Sequence, residues 1–206
     1  MSDCTVNQVY GSIEACPGRS VLAGIRRRLF FIPKSDIVKW PTLPKLNTTG
    51  DDAAKDMGAL ATYVGSFTLK ADATWKFIDL KDNASNVTHD TAGELGSQII
   101  ENKATAIVAG TSKELAGFGR QSKNDDLVYV YQERDGAYRV LGNDMYSTDT
   151  KNSSDTAAEA TGAKTTTFTI AVYDDCPAPY YEGELVISKT TKIDCLTGEE
   201  KAIAAA

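Results

Sequence analysis

The stretch that most constrains the fold is LVYVYQERDGAYRVL, residues 127–141. Its β-branched and aromatic residues form two short runs of strand formers, 127–132 and 137–141. Asp135-Gly136 between them suits the positive-φ conformations of a tight hairpin turn. Runs of the same character recur at 25–32 (IRRRLFFI, closed by Pro33), 63–70, 74–81, 95–109, 165–173 and 184–191. Only 111–123 changes period. There Thr111 and Glu114 fit a capping box, and Leu115 and Phe118 fall on one helical face, predicted to pack against a sheet. Gly117 and Gly119 weaken that helix in isolation and suit close helix–sheet approach. The pattern predicts a mainly β protein, a β-sandwich or barrel of about eight strands with one packed α-helix, in a single domain over 1–206.

The intervening text sorts into turns and connections. Residues 71–73 are short enough to join 63–70 and 74–81 as a hairpin. Residues 82–90 read as a polar loop, 41–62 as a long Pro- and Gly-punctuated connection, and 147–164, without a sizeable apolar residue, as an exposed flexible loop. Pro177 and Pro179 bar their segment from a central strand. Residues 1–19 read as an N-terminal arm and 201–206 as a frayed tail.

Charge and composition exclude function classes more readily than they select one. The chain has 22 Lys plus Arg against 28 Asp plus Glu, a net charge of −6, and one His. An acidic chain is poorly equipped for phosphate-backbone binding, and a single His cannot build a multi-His metal centre. No apolar run approaches the roughly 18 residues of a membrane span. The opening MSDCTVNQVYG lacks the basic and apolar regions of an export signal, which predicts a reducing compartment. There Cys4, Cys16, Cys176 and Cys195, with no C-x-x-C pair among them, are expected as free, partly buried thiols rather than disulfides or zinc ligands. His89 and Asp90 are neighbours that point apart on an extended chain, so His89 reads as a solvated loop residue and not a general base. The pairs Asp51/Asp52, Asp125/Asp126, Asp174/Asp175 and Glu199/Glu200 sit beside turns and read as solvated acids. Gly117-Phe118-Gly119-Arg120 lacks phosphate-loop spacing. The sequence therefore assigns no catalytic, cofactor-binding or metal-ligating residue, and the expectation is a protein that is not an enzyme.

Arg26-Arg27-Arg28 is the one basic cluster. Alternation puts Ile25, Arg27, Leu29 and Phe31 on one strand face and Arg26, Arg28, Phe30 and Ile32 on the other. Neither face is clean, which suits a strand partly covered by a neighbouring chain. Nucleic-acid contact, an edge strand protected by charge, and a subunit interface in which guanidinium groups meet carboxylates are the three readings.

The block 93–143, GELGSQIIENKATAIVAGTSKELAGFGRQSKNDDLVYVYQERDGAYRVLGN, runs long strand, helix, strand, Asp-Gly turn, strand. That order is similar to the β-sandwich-plus-helix of tail tube proteins of long-tailed bacteriophages. RLFFIPKSDIVKWP (28–41) resembles the start of structural proteins from phages and prophages of Bacteroidetes-type bacteria. The resemblance implies a virion structural protein located in the tail, made in the bacterial host cytoplasm and self-assembling into stacked, hexameric rings with a continuous inner β-barrel. The implied partners are other copies of the chain and other virion tail proteins. DNA would pass only transiently and without specific binding, and there is no membrane partner and no cofactor. The long 41–62 connection would clasp a ring neighbour, and Arg26, Arg27, Arg28, Phe30 and Trp40 become candidate subunit-interface residues. A carboxylate-rich lumen face is expected, because negative charge repels sliding DNA. The alternatives are another virion part (connector, capsid decoration or baseplate ring) and a carbohydrate-binding β-sandwich using Trp40, Trp75 and Tyr180/Tyr181 as stacking platforms.

Overall fold

The computed structural model describes residues 9–18, 20–46 and 53–203. Cys4, Asn47–Gly50 and the Asp51/Asp52 pair lie outside them, as do residues 1–8, 19 and 204–206 of the arm and the tail. The first strands are β1 (Ile25–Pro33), β2 (Ile37–Lys39), β3 (Thr62–Tyr63), β4 (Thr68–Leu69), β5 (Lys76–Asp79), β6 (Asn86–Ala92) and β7 (Ile99–Ala109). Helix α1 (Lys113–Ser122) precedes β8 (Leu127–Glu133), β9 (Tyr138–Leu141), β10 (Asp149–Asp155) and β11 (Thr165–Asp174). The chain closes with β12 (Tyr180–Tyr181), β13 (Glu184–Val186), β14 (Thr191–Asp194) and β15 (Glu199–Ala202).

The central layer is a six-stranded sheet in the order β3-β12-β9-β8-β1-β5. Val128, Tyr129, Val130 and Tyr131 of β8 are all at most 1% exposed. Four consecutive buried residues mean that both faces of the strand are covered, which is why 127–131 reads as an unbroken apolar run. One face, through Leu29, Tyr129 and Tyr131, packs on Ala104, Ala106, Phe168 and Ile170 of a four-stranded antiparallel sheet, β10-β11-β7-β6. The other, through Phe30, Ile32, Val128 and Val130, packs on Phe67, Trp75, Tyr181 and on Leu185 and Ile193 of a three-stranded sheet, β13-β14-β15. β2 and β4 pair separately. The protein is thus mainly β, a layered sandwich with one helix, and its sheets are open rather than closed into a barrel.

Helix α1 lies against the first core. Leu115 and Phe118 pack on it, with Phe118 wedged between Phe31 (ring centroids 4.9 Å) and Phe168 (5.1 Å). The N-cap is Ser112, whose Oγ accepts from Leu115 N–H at 3.3 Å, so the cap lies one residue later than Thr111. The glycines differ. A Cβ at Gly119 would lie 2.7 Å from Asn152 Cγ on β10, whereas one at Gly117 would meet nothing within 4 Å.

Several expectations are corrected. Fifteen strands, not about eight, are present among the described residues, because strands of two to seven residues fill the supposed connections and loops. Residues 63–70 and 74–81 do not form a hairpin. The turn at Asp72 (φ 64°) exists, but β4 leaves to join β2 and β5 to join β1, drawn by burial of Trp75 at 1% exposure. The 82–90 loop contains most of β6, paired residue for residue with β7. Residues 149–155 of the supposed flexible loop are β10, fully paired with β11, and 147–148 and 156–164 remain irregular. The 41–62 connection is tied to its own chain by the Thr42–Val64 bridge and by Leu43 against the second core. Residues 201–202 of the supposed tail belong to β15, while 9–18 of the arm carry no strand or helix.

Candidate functional site

The five residues singled out on and after β1 do not form one surface. β1 lies between β8 and β5, so it is not an edge strand. Its pairing with β8 shifts register between Ile25 and Leu29, an irregularity that holds Arg26 and Arg27 out into solvent. Arg28 is committed within the chain: its Nε lies 3.6 Å from Asp79 Oδ1 and its guanidinium 4.1 Å from the Phe77 ring centroid. Phe30, at 3% exposure, is core and cannot meet a neighbour; both faces of β1 are covered by this chain itself. Trp40 is half-buried, edge-on to Phe67 at 5.2 Å. Among the described residues, Arg26 and Arg27 have no ion-pair partner.

The four-stranded sheet presents the broadest ordered face to solvent. Its strands alternate strictly: Ala104, Ala106, Val108, Phe168, Ile170 and Val172 point inward, and their neighbours point out. Register places Asp90 beside Glu101, Thr88 beside Lys103, and Asp149 and Lys151 opposite Ala171 and Thr169 on that outer face. The outer face carries Asp90, Glu101, Asp149 and Asp155 against Lys103 and Lys151. Each lysine pairs along its own strand, Lys103 with Glu101 at 2.8 Å and Lys151 with Asp149 at 2.7 Å. Asp90 and Asp155 are left as net charge. A row of threonines, 165, 167 and 169 on β11 and 105 on β7, fills the middle. Both edges of this sheet, β6 (NVTHDTA) and β10 (DTKNSSD), are seven residues long, free of proline and, among the described residues, without a further backbone partner. Sequence reading missed both strands because their faces carry too few apolar residues to show a period-2 signal.

The groups capable of acid–base chemistry are dispersed or structural. His89 stands on β6, half-buried, its Nδ1 2.7 Å from Asn102 Oδ1. Asn102 also donates to Cys176 O and accepts from Ala178 N–H, which fixes its amide, so His89 Nδ1 must carry the proton. Burial lowers the His89 pKa, and the imidazole is a neutral donor in a structural network rather than the solvated loop residue expected. Cys176 and Cys195 are free and buried, and burial pushes the Cys176 thiol up to about 12, which makes it a poor nucleophile; Cys16 is free but exposed, not partly buried. Trp75 and Tyr181 are each 1% exposed and Tyr180 lies under Arg139, so no aromatic platform for a sugar is available from them.

Asp174 is the exception among the acids. At the end of β11 it is 2% exposed, and its Oδ2 has no hydrogen-bond partner. Its Oδ1 accepts from Asp175 N–H at 2.8 Å. Burial, reinforced by the adjacent Asp175, raises its pKa to about 6. It contributes to the wall of a cavity of about 700 Å³ that also includes Trp40, Leu43, Tyr63, Asp144 and Asp175. The sequence showed Asp174/Asp175 only as a turn pair, because a carboxylate's burial depends on strands brought from elsewhere. Among the described residues, no group of three or more His, Cys, Asp or Glu side chains is placed to hold a metal, and no helix is long and apolar enough to cross a membrane. No protein-family model, no curated protein and no solved structure matches the chain.

Proposed function

We propose that the chain is a structural subunit of a phage-tail-tube-type assembly, closing into rings through the edges of its four-stranded sheet. One observation carries this reading: an antiparallel sheet with an even number of strands and two free edges of equal length. β10 and β6 run in opposite directions, because three antiparallel pairings separate them. When copies are related by rotation about one axis, β6 of one subunit meets β10 of the next antiparallel. The ladder then continues through every junction, and each open edge is covered. Six copies would give a barrel of about 24 strands, roughly 48 Å across between backbones at ordinary strand spacing and tilt.

In such a ring the outer face of the sheet lines the lumen. The surplus of Asp90 and Asp155 over the lysine pairs, set among threonines, gives a polar, weakly negative wall that DNA can slide along without being held. The face carries no arginine and no aromatic other than Tyr173.

Negative-stain microscopy and sedimentation of the purified chain test the proposal. Rings or tubes are expected, and a monodisperse 22.1 kDa monomer at all concentrations would overturn it. Ser153→Pro and Ser154→Pro, made singly, locate the contact. Successive N–H groups of β10 point alternately to β11 and outward. One variant should therefore lose a ladder bond and Tm, while the other keeps Tm and fails to form rings.

A further inference from the structure

The two ends of the six-stranded sheet carry opposite charges that the described residues of the chain leave unpaired. Arg26 and Arg27 stand at the start of β1, and Arg28 beside them is already taken by Asp79. Gln132, Tyr138 and Glu200 border the same cleft, and none is within ion-pair or hydrogen-bond reach of Arg26 or Arg27. β1 runs away from this end for seven residues to Pro33, about 23 Å. There the next residue, Lys34, donates from Nζ to Tyr146 O at 3.0 Å. Asp144 lies two residues before Tyr146, in the wall of the cavity that also holds Asp174 and Asp175.

That cavity has features of a socket for a basic side chain. Asp144 and Asp175 are exposed and, among the described residues, in no ion pair. Beneath them Asp174 is buried with one carboxylate oxygen unsatisfied, a costly arrangement that an incoming cation would relieve. Trp40, Leu43 and Leu60 offer apolar walls against which the methylenes of a long side chain can lie. Among the described residues, the one cation on the rim is Lys45, which is exposed and forms no bridge to any of the three acids.

We propose that these ends are the two halves of a head-to-tail contact between copies of this chain, with Arg26 and Arg27 of one copy seated on the Asp144/Asp174/Asp175 cavity of the next. The contact is heterologous and uses neither edge of the four-stranded sheet, so it is separate from the edge pairing; that it joins ring to ring rests on the tube reading. Guanidinium groups suit the role, since they desolvate more readily than ammonium groups and meet carboxylates in two-point geometry. Asp174 then has a cationic neighbour in the stack, which no described residue of the free subunit supplies within ion-pair distance.

Charge reversal in the full chain tests this. Arg26→Glu with Arg27→Glu, and separately Asp144→Arg with Asp175→Arg, change exposed residues only, and circular dichroism should show the fold intact. Each double variant alone should form rings but lose stacking by at least about tenfold in association constant, because like charges then face each other. Mixed together, the two variants should stack again, since the reversed end of each fits the reversed end of the other. Variants that each stack like the unaltered chain, or a mixture that fails to recover, overturn the contact while leaving rings as evidence for the tube reading. An unaltered chain that never forms rings or stacks at low salt overturns both.

Discussion

The six-stranded sheet, with strands of two to nine residues, and the four-stranded sheet, with strands of seven to eleven, handle their surfaces in opposite ways. The central sheet is buried on both faces, so β1 and β8 are apolar at successive positions and their hydrogen bonds are sheltered from water. The four-stranded sheet is buried on one face only, and its outer face is mostly polar, with Ile99, Ile107 and Ala171 among the charged and threonine side chains. The first layer holds the fold together. The second is attached to it by the inward side chains of β7 and β11 and leaves its other face exposed to solvent. Under the proposed assembly, stability and contact are divided between layers, and a substitution can touch one without the other.

Adjacent residues of β11 expose that division most sharply. Phe168 is 1% exposed and meets Phe118 edge-on at 5.1 Å, while Thr169 on the opposite face is exposed. Phe168→Ala should lower the unfolding free energy by about 3–5 kcal/mol, from lost transfer energy plus the cavity left behind. Thr169→Ala should change it by no more than about 0.5 kcal/mol. Urea unfolding reads both, and equal losses would mean that the outer face is as buried as the inner one.

Asp174 comes next in size, and its effect has the opposite sign. Its folded pKa, about 6, lies above the ordinary carboxylate value of 3.8, so the folded state holds the proton more tightly than the unfolded one. The contribution is fully favourable below about pH 4 and is lost as pH rises through 6. Near pH 7.5 the buried carboxylate should cost roughly 2–3 kcal/mol relative to that acid limit. Asp174→Asn should therefore stabilise the unassembled chain at pH 7.5 and lose its advantage toward pH 4. A variant with a pH-independent gain would show that the carboxylate is not the source. If Arg26 and Arg27 of a neighbour neutralise this acid, the same substitution should weaken stacking while strengthening the subunit.

The sequence made the central layer legible and left the second half-hidden, for the same physical reason. A strand buried on both faces, such as 127–131, must be apolar throughout, and the hairpin turn at Asp135-Gly136 (Gly136 φ 109°) needs a residue that tolerates positive φ. Both demands show in composition. β6 and β10 owe their existence to neighbours: Thr150 is buried because Tyr129 Oη reaches it at 2.8 Å, and Val87 stands opposite Ala104. Nothing in DTKNSSD records that reach. Phe30 and Trp75 misled in the other direction, since an aromatic residue looks the same in a sequence whether it faces water or a third layer. The acid cavity was invisible because its walls come from residues 40–46, 60–63, 143–145 and 174–177.

The smallest effect tests where the layers meet through the helix. By intrinsic propensity, Gly→Ala in a helix interior gains about 1 kcal/mol, and Gly117, with open space at its Cβ, should show that gain in Tm. At Gly119 the new methyl would press on Asn152 Cγ, 2.7 Å away, and the β10 backbone beneath holds Asn152 in place. Gly119→Ala should therefore be neutral to destabilising by about 1 kcal/mol, the propensity gain being offset by overpacking. Asn152→Ala should restore the gain, because it removes the obstructing amide and leaves the β10 ladder intact. If Gly119→Ala stabilises as much as Gly117→Ala without that second change, the helix and β10 are not in firm contact, and the four-stranded sheet is held by its inward side chains alone.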